Sequence, residues 1–362
     1  MKGIFKHTNK SKVMFFCIEL IAFLCFFGGV TIVVDPYFHF HPPIDGLVYS
    51  FSADPRYIND GISKNWDYNA VITGTSMTQN FKPSEFDQHF GVKSVKMSYE
   101  GASFYEIGNN LRKSFDSDND IKLVLWSLDT GRLGWDANYL DENFNYPQYL
   151  TDNCWINDVN YIFNKDVLIK DTLRTIFKTI VRKPYITLDE YNSWDKQYCG
   201  KYGKDYVLAQ YTRNEKKEMK QRQLSVEEKI AIQRNLEKNI IPLIINNKAT
   251  TFLFFFPPIS IVGLDSYYNT GDIKTLFEKQ EYAYTLLSQY ENVEVFAWQD
   301  NMKLVTDLNN YRDPWHYSGR INSEMLCWIE QKKGILTENN YSDYFKNCKE
   351  IFENYCYDNI FR

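Results

Sequence analysis

Ala70-Val71-Ile72-Thr73-Gly74-Thr75-Ser76-Met77 is the stretch on which the reading of the fold turns. Four apolar or β-branched residues form a buried strand, Gly74 ends it, and Ser76 is left at its carboxyl end. Downstream, Pro83 is well placed as the first residue of a short helix through Phe90. Ser94 to Tyr99 reads as a second strand, Tyr105 to Phe115 as a helix, and Ile121 to Trp126 as a third strand.

The alternation resumes after a long irregular tract. Ser225-Val226-Glu227-Glu228 is a capping box that opens a helix to about Asn246, bent near Pro242. Thr250 to Phe256 is a strongly apolar strand halted by Pro257-Pro258. A helix over 274–290, a strand over 293–298 and a final helix over 319–330 follow. Strands separated by helices predict an α/β fold, a parallel sheet covered on both faces. In such sheets a site forms at the carboxyl ends of the strands, where Ser76, Gly101 and Asp129 each follow one. The tract 135–224 reads as a helical insertion, and the charged run 214–222 as a solvated helix face. Residues 336–362 form a tail.

Toward the N-terminus, Val13 to Val34 is almost wholly apolar and long enough to span a bilayer. Lys2, Lys6, Lys10 and Lys12 precede it and Asp35 follows. The positive-inside rule therefore keeps residues 1–12 in the cytoplasm and sends the rest outside. With no cleavage signature, the run reads as an uncleaved signal anchor meeting membrane lipid. Glu19 within it reads as a shallow or protonated carboxyl; the alternative is a polar contact with another membrane protein. Residues 35–66 form a polar connector. Its His39-x-His41 pair lacks the carboxylate or cysteine neighbours of a metal site.

Composition narrows the function classes. Net charge is -5, and no basic block suggests nucleic-acid binding. The chain has 27 Tyr and 26 Phe, which reads as aromatic core. Trp126, Trp135, Trp155 and Trp194 are open to a second reading, as the lining of a sugar groove. The five cysteines beyond the anchor form no Cys-x-x-Cys pair, so no zinc or redox motif is present and no cofactor is expected. Cys348 and Cys356 are candidates for a bridge in the tail.

A serine hydroxyl becomes a nucleophile when a base takes its proton. His7 falls in the cytoplasm, His39 and His41 in the connector, and His89 on a surface helix, which leaves His316. Asp313, three residues earlier in Asp313-Pro314-Trp315-His316, is spaced to hold the far ring nitrogen. The structural alternative is plain: Ser76 caps a helix, Asp313 caps a turn, and His316 packs on Trp315.

Taken together, Val71 to Met77, Ser98-Tyr99-Glu100-Gly101-Ala102-Ser103 and Asp313 to Ser318 resemble the SGNH (GDSL-like) hydrolase superfamily. The likeness covers roughly residues 67–332, within a domain expected over 67–335, and is nearest the membrane-anchored branch of D-alanyl-lipoteichoic acid biosynthesis and alginate O-acetylation accessory proteins. It implies a three-layer sandwich with a central parallel sheet. It also implies Ser76 as nucleophile, with His316 and Asp313, and an oxyanion hole from the N–H groups of Ser76 and Gly101. The expected partners are an acylated cell-surface polysaccharide or teichoic-acid-like polymer and a membrane-bound O-acyltransferase. Two departures stand out. Thr75 replaces the usual Asp, and Ser127-Leu128-Asp129 stands where the family's third oxyanion donor belongs. The expectation is an extracytoplasmic esterase or O-acyltransferase; the rival is a non-catalytic binding module for such a system.

Overall fold

The computed structural model describes residues 4–144, 146–152, 154–213 and 220–361. Most of the charged run 214–222 lies outside these residues, and 220–222 are not helical. The chain divides into two compact units. One comprises residues 1–66 with 146–186, the other 67–145 with 187–362. The expected insertion over 135–224 is shared between them and holds short helices without a strand among its described residues.

The larger unit carries a six-stranded sheet: β1 (Ala70–Gly74), β2 (Ser94–Ser98), β3 (Leu123–Ser127), β4 (Thr251–Phe256), β5 (Val293–Ala297) and β6 (Ile335–Leu336). Their spatial order is β2-β1-β3-β4-β5-β6. The first five run parallel, and β6 is antiparallel to β5. Helices Pro83–Phe90 and Gly319–Glu330 pack together in one layer. Phe104–Asp116, Val226–Asn239, Ile273–Leu287 and Tyr341–Glu353 pack as another. The result is a mixed α/β fold with helices on both sides of the sheet.

Local chemistry explains these elements. β4 lies inside a mostly parallel sheet covered on both faces, so its sequence is a continuous apolar run rather than an alternating one. Trp126 on β3 stands directly beside Phe254 on β4, with ring centroids 5.9 Å apart, which places this tryptophan in the core. Ser225 caps the helix after it in a reciprocal box with Glu228. The bend expected near Pro242 occurs at Ile240, where one helix ends and Ile241–Asn246 begins. Proline belongs in a first helical turn, so the break precedes it.

Cys348 and Cys356, the candidate pair, are both free thiols. Helix Tyr341–Glu353 turns Cys348 into the core on the same face as Phe345 and Phe352. Cys356 lies past the helix end, exposed. Burial pushes the Cys348 thiol up to about 12.

The smaller unit is built on helix Ile4–Val34, which is long and apolar enough to cross a membrane. Just beyond it, the buried Asp35 carboxylate accepts the N–H groups of His39, Phe40 and His41 and the hydroxyl of Tyr161 at 2.7 Å. Burial raises this carboxyl's pKa against those bonds. The His-x-His pair is thus part of a folded turn. His39 Nε2 pairs with Asp158, and His41 contacts the carbonyls of Ile32 and Pro42.

Candidate active site

The sheet order itself marks a location. β1 connects outward to β2, while β3 lies on the other side of β1. The crevice at such a switch point, beyond the strand carboxyl ends, is the usual ligand site of an open α/β sheet. Gly74 closes β1 there at φ +143, and a Cβ at that position would meet Ser127 Oγ at 2.3 Å. Only glycine fits both the backbone angle and the approach of β3. The chain then enters a short 3-10 turn, Ser76–Thr78, which Thr75 caps.

Asp313 and His316 come from the opposite end of the larger unit. Their loop is pinched by a bridge between Tyr311 and Tyr317 and by Arg312 N–H donating to the His316 carbonyl. Its Pro314 carbonyl accepts from Ser260 Oγ at 2.7 Å. The loop is also bonded to the serine turn. Tyr317 Oη and Asn322 Nδ2 both donate to the Met77 carbonyl at 3.1 Å, and Trp194 Nε1 donates to the Ser76 carbonyl at 3.2 Å.

This clamp brings three of the expected residues together. Ser76 Oγ lies 2.9 Å from His316 Nε2, and His316 Nδ1 lies 2.8 Å from Asp313 Oδ2. Asp313 Oδ1 also accepts the backbone N–H groups of Trp315 and His316, each at 2.9 Å. Arg312 Nε donates to Asp313 Oδ2 at 2.8 Å. Burial would raise the Asp313 pKa, but the bond and charge of His316, with Arg312 and the backbone donors, hold it well below the usual carboxylate range. An ionised, oriented carboxylate behind an imidazole that touches a hydroxyl is an arrangement able to support nucleophilic acyl transfer.

Gly101, the other expected oxyanion donor, occupies the turn after β2 at φ +65, and its neighbour Glu100 lines a hollow beside Ser76. Asp129 follows β3 by two residues and accepts Thr75 Oγ1 at 2.7 Å and Ser127 Oγ at 2.8 Å. Burial pushes its carboxyl up against those bonds. Its role in the geometry is to tie the serine turn to β3.

The two hollows share Ser76 and His316 in their walls. One, of about 320 Å³, is lined by Met77, Pro257, Ile259, Tyr267 and Trp315, with Arg132 and Asp129 among its polar groups. The other, of about 340 Å³, presents Gln79, Asn192, Gln197, Trp194, Tyr198 and Arg312. The Arg312 guanidinium stacks 3.9 Å from the Tyr198 ring centroid and 4.7 Å from that of Trp194. Of the four tryptophans open to a groove reading, Trp194 lines a hollow and Trp126 is core. Trp135 stacks under Arg132, and Trp155 belongs to the other unit. Arg132 and Arg312 escaped the sequence reading. Arg312 had a signal in its position beside Asp313, whereas nothing in the local sequence marked Arg132.

No family model matches the chain, and no curated protein matches it. Among solved structures, the chain is similar to a Streptococcus pneumonia protein described as a "putative platelet activating factor". The identity is 11%, the TM-score 0.38, and the match covers 80% of this chain and 91% of that one. A likeness that distant bears on neither chemistry nor substrate, and the site rests on its own geometry.

Proposed function

We propose that the larger unit is an esterase or O-acyltransferase of SGNH type, held outside the cell membrane by the N-terminal helix. The single observation that carries this reading is the continuous chain from Asp313 through His316 to Ser76. Ser76 Oγ attacks an ester carbonyl carbon while His316 Nε2 takes its proton. The tetrahedral adduct collapses, the C–O bond to the alcohol breaks, and the leaving oxygen receives that proton from His316. Water or a glycan hydroxyl then attacks the acyl-enzyme, giving its proton to His316, and Ser76 is released and reprotonated. Asp313 holds the ring and balances the imidazolium in both halves.

The hollows suit the two halves of such an ester. Amides and stacked aromatic faces fit a polyhydroxylated alcohol, in keeping with an acylated cell-surface polymer. The more apolar hollow suits the acyl group, and Arg132 adds a cation to its wall. That guanidinium lies 3.7 Å over the Trp135 ring and makes no ion pair among the described residues. Asp129, Asp141 and Glu106 attract it without forming an ion pair, and each also bonds elsewhere: Asp129 with Thr75 and Ser127, Asp141 with Asn143, Glu106 with Ser103. An acyl group ending in an anion would satisfy it, since a guanidinium binds carboxylates through paired N–H donors.

One observation favours a second reading, a docking module for a membrane-bound acyltransferase with an idle triad. Where an oxyanion donor is expected stands Asp129, whose oxygens accept. Losing one such donor costs on the order of 10²–10³ in rate. A fluorophosphonate probe on the full chain in detergent separates the two. Labelling at Ser76, abolished in Ser76→Ala, is the expected result. A folded protein that stays unlabelled and turns over p-nitrophenyl acetate no faster than Ser76→Ala would favour the docking module.

A further inference from the structure

Within the smaller unit, residues 155–181 carry an apolar surface left exposed among the described residues. Trp155, Phe163, Ile169, Leu173, Phe177 and Ile180 are exposed, from 42% at Leu173 to 79% at Trp155. The last four fall at helical spacing along the π turn Val167–Thr172 and helix Leu173–Ile180, so they form one stripe. The opposite face holds the buried Val167, Asp171, Thr172 and Thr175. Asp171 accepts Tyr37 Oη at 2.8 Å and Ser52 Oγ at 2.6 Å, which fixes the segment's rotation. Exposed Lys165, Lys170, Arg174, Arg182 and Lys183 are distributed along and just past the segment. An amphipathic element with a wide apolar face and basic flanks suits a bilayer interface with anionic headgroups.

What selects lipid as the occupant is the segment's attachment to the membrane-length helix. A methyl group on Gly28 would lie 3.1 Å from Ile162 Cγ2 and 3.2 Å from the Phe163 ring, so the two elements touch there. Gly28 precedes Val34, the end of the apolar run, by six residues. At 1.5 Å rise per residue, Phe163 therefore meets the helix about 9 Å inside its apolar end. Interfacial helices sink their apolar faces to about 5–10 Å, which is the same depth. We propose that residues 155–181 lie in the outer leaflet's interface as an in-plane membrane element, with the stripe in the acyl region and the basic side chains among headgroups. The assignment rests on helix Ile4–Val34 crossing the bilayer.

The test uses the full chain in nanodiscs of phosphatidylcholine and phosphatidylglycerol. Exposed native cysteines are replaced by alanine, and a bimane label is placed at Phe163→Cys or Phe177→Cys. Ile180→Cys substitutes if either fails to fold. Lipids doxyl-labelled near the headgroup should quench these labels at least twofold, and aqueous iodide should quench them several-fold less than free dye. Labels that iodide reaches freely and doxyl lipids do not quench would overturn the assignment. So would labels open to iodide in nanodiscs but shielded in native membranes, since a protein would then be the occupant. A label at Phe23→Cys isolates the anchor: quenching there by doxyl groups deep in the chains, without quenching at 163 and 177, would reject the in-plane element alone.

Discussion

At the scale of single residues, the site depends on a carboxylate that stays charged and on an arginine that makes no ion pair among the described residues. Asp313→Asn keeps the shape but loses the charge opposite the imidazolium, so acyl transfer should fall on the order of 10³–10⁴-fold. The same substitution predicts a stability effect. The folded Asp313 carboxyl is held below its unfolded value, so its contribution is fully present above about pH 4, the unfolded value. It is lost as pH falls from there through the folded value. The difference in Tm between wild type and Asp313→Asn should therefore shrink as pH drops from 4 toward 2; a constant difference would contradict the assignment. Arg132→Gln addresses the acyl half. Turnover of the mono-4-methylumbelliferyl ester of succinic acid should drop at least tenfold while the butyrate ester changes less than threefold. Equal losses on both esters would instead make the guanidinium a stabiliser of the oxyanion.

At the scale of elements, the buried lysine on β2 is informative. Lys96 Nζ donates to the carbonyls of Gln79 and Phe81 at 2.6 and 3.0 Å, and to that of Asp189 at 3.3 Å. It thereby fastens the segment that follows the Ser76 turn to the sheet. Burial lowers its pKa to about 7, while carbonyl acceptors favour the ammonium. Lys96→Met should leave these carbonyls without that donor and destabilise the unit by roughly 2–4 kcal/mol. Chemical denaturation of the full chain measures this, and a loss below ~0.5 kcal/mol would show that water replaces the amine. The lysine also shows where the sequence was and was not legible. β1, β3 and β4 stand out because buried parallel strands are continuous apolar runs, whereas β2 has only Val95 and Met97 on either side of Lys96 and β5 is broken by Glu294. β6 is two residues long and leaves no periodicity to read. Helix Ile261–Thr270 was missed because Pro257-Pro258, just before it, reads as a loop, although Ser260 caps it by accepting Gly263 N–H. Asp313 and His316 were legible because three-residue spacing is a local property. Trp194 was legible only as one of four groove candidates and Arg132 not at all, because the fold, not the chain, brings them near Ser76.

At the scale of the whole molecule, the site is a product of the larger unit's complete topology. Ser76 and His316 are separated by 240 positions, and so are the Tyr317 hydroxyl and the Met77 carbonyl it bonds. Trp194, which holds the Ser76 carbonyl, enters from a third region. None of these contacts can persist if the first strands and the last helix part, because each closes a long loop whose entropy only the assembled sheet offsets. Reactivity should then vanish with the sheet and not before it. In urea, fluorophosphonate labelling of Ser76 and the far-ultraviolet signal of the full chain in detergent should share one midpoint for the unit's transition. Labelling lost at clearly lower urea would mean that the Asp313–His316 loop opens as a local unit on an intact sheet, and that the bonds to Met77 and Ser76 are too weak to couple it to the fold.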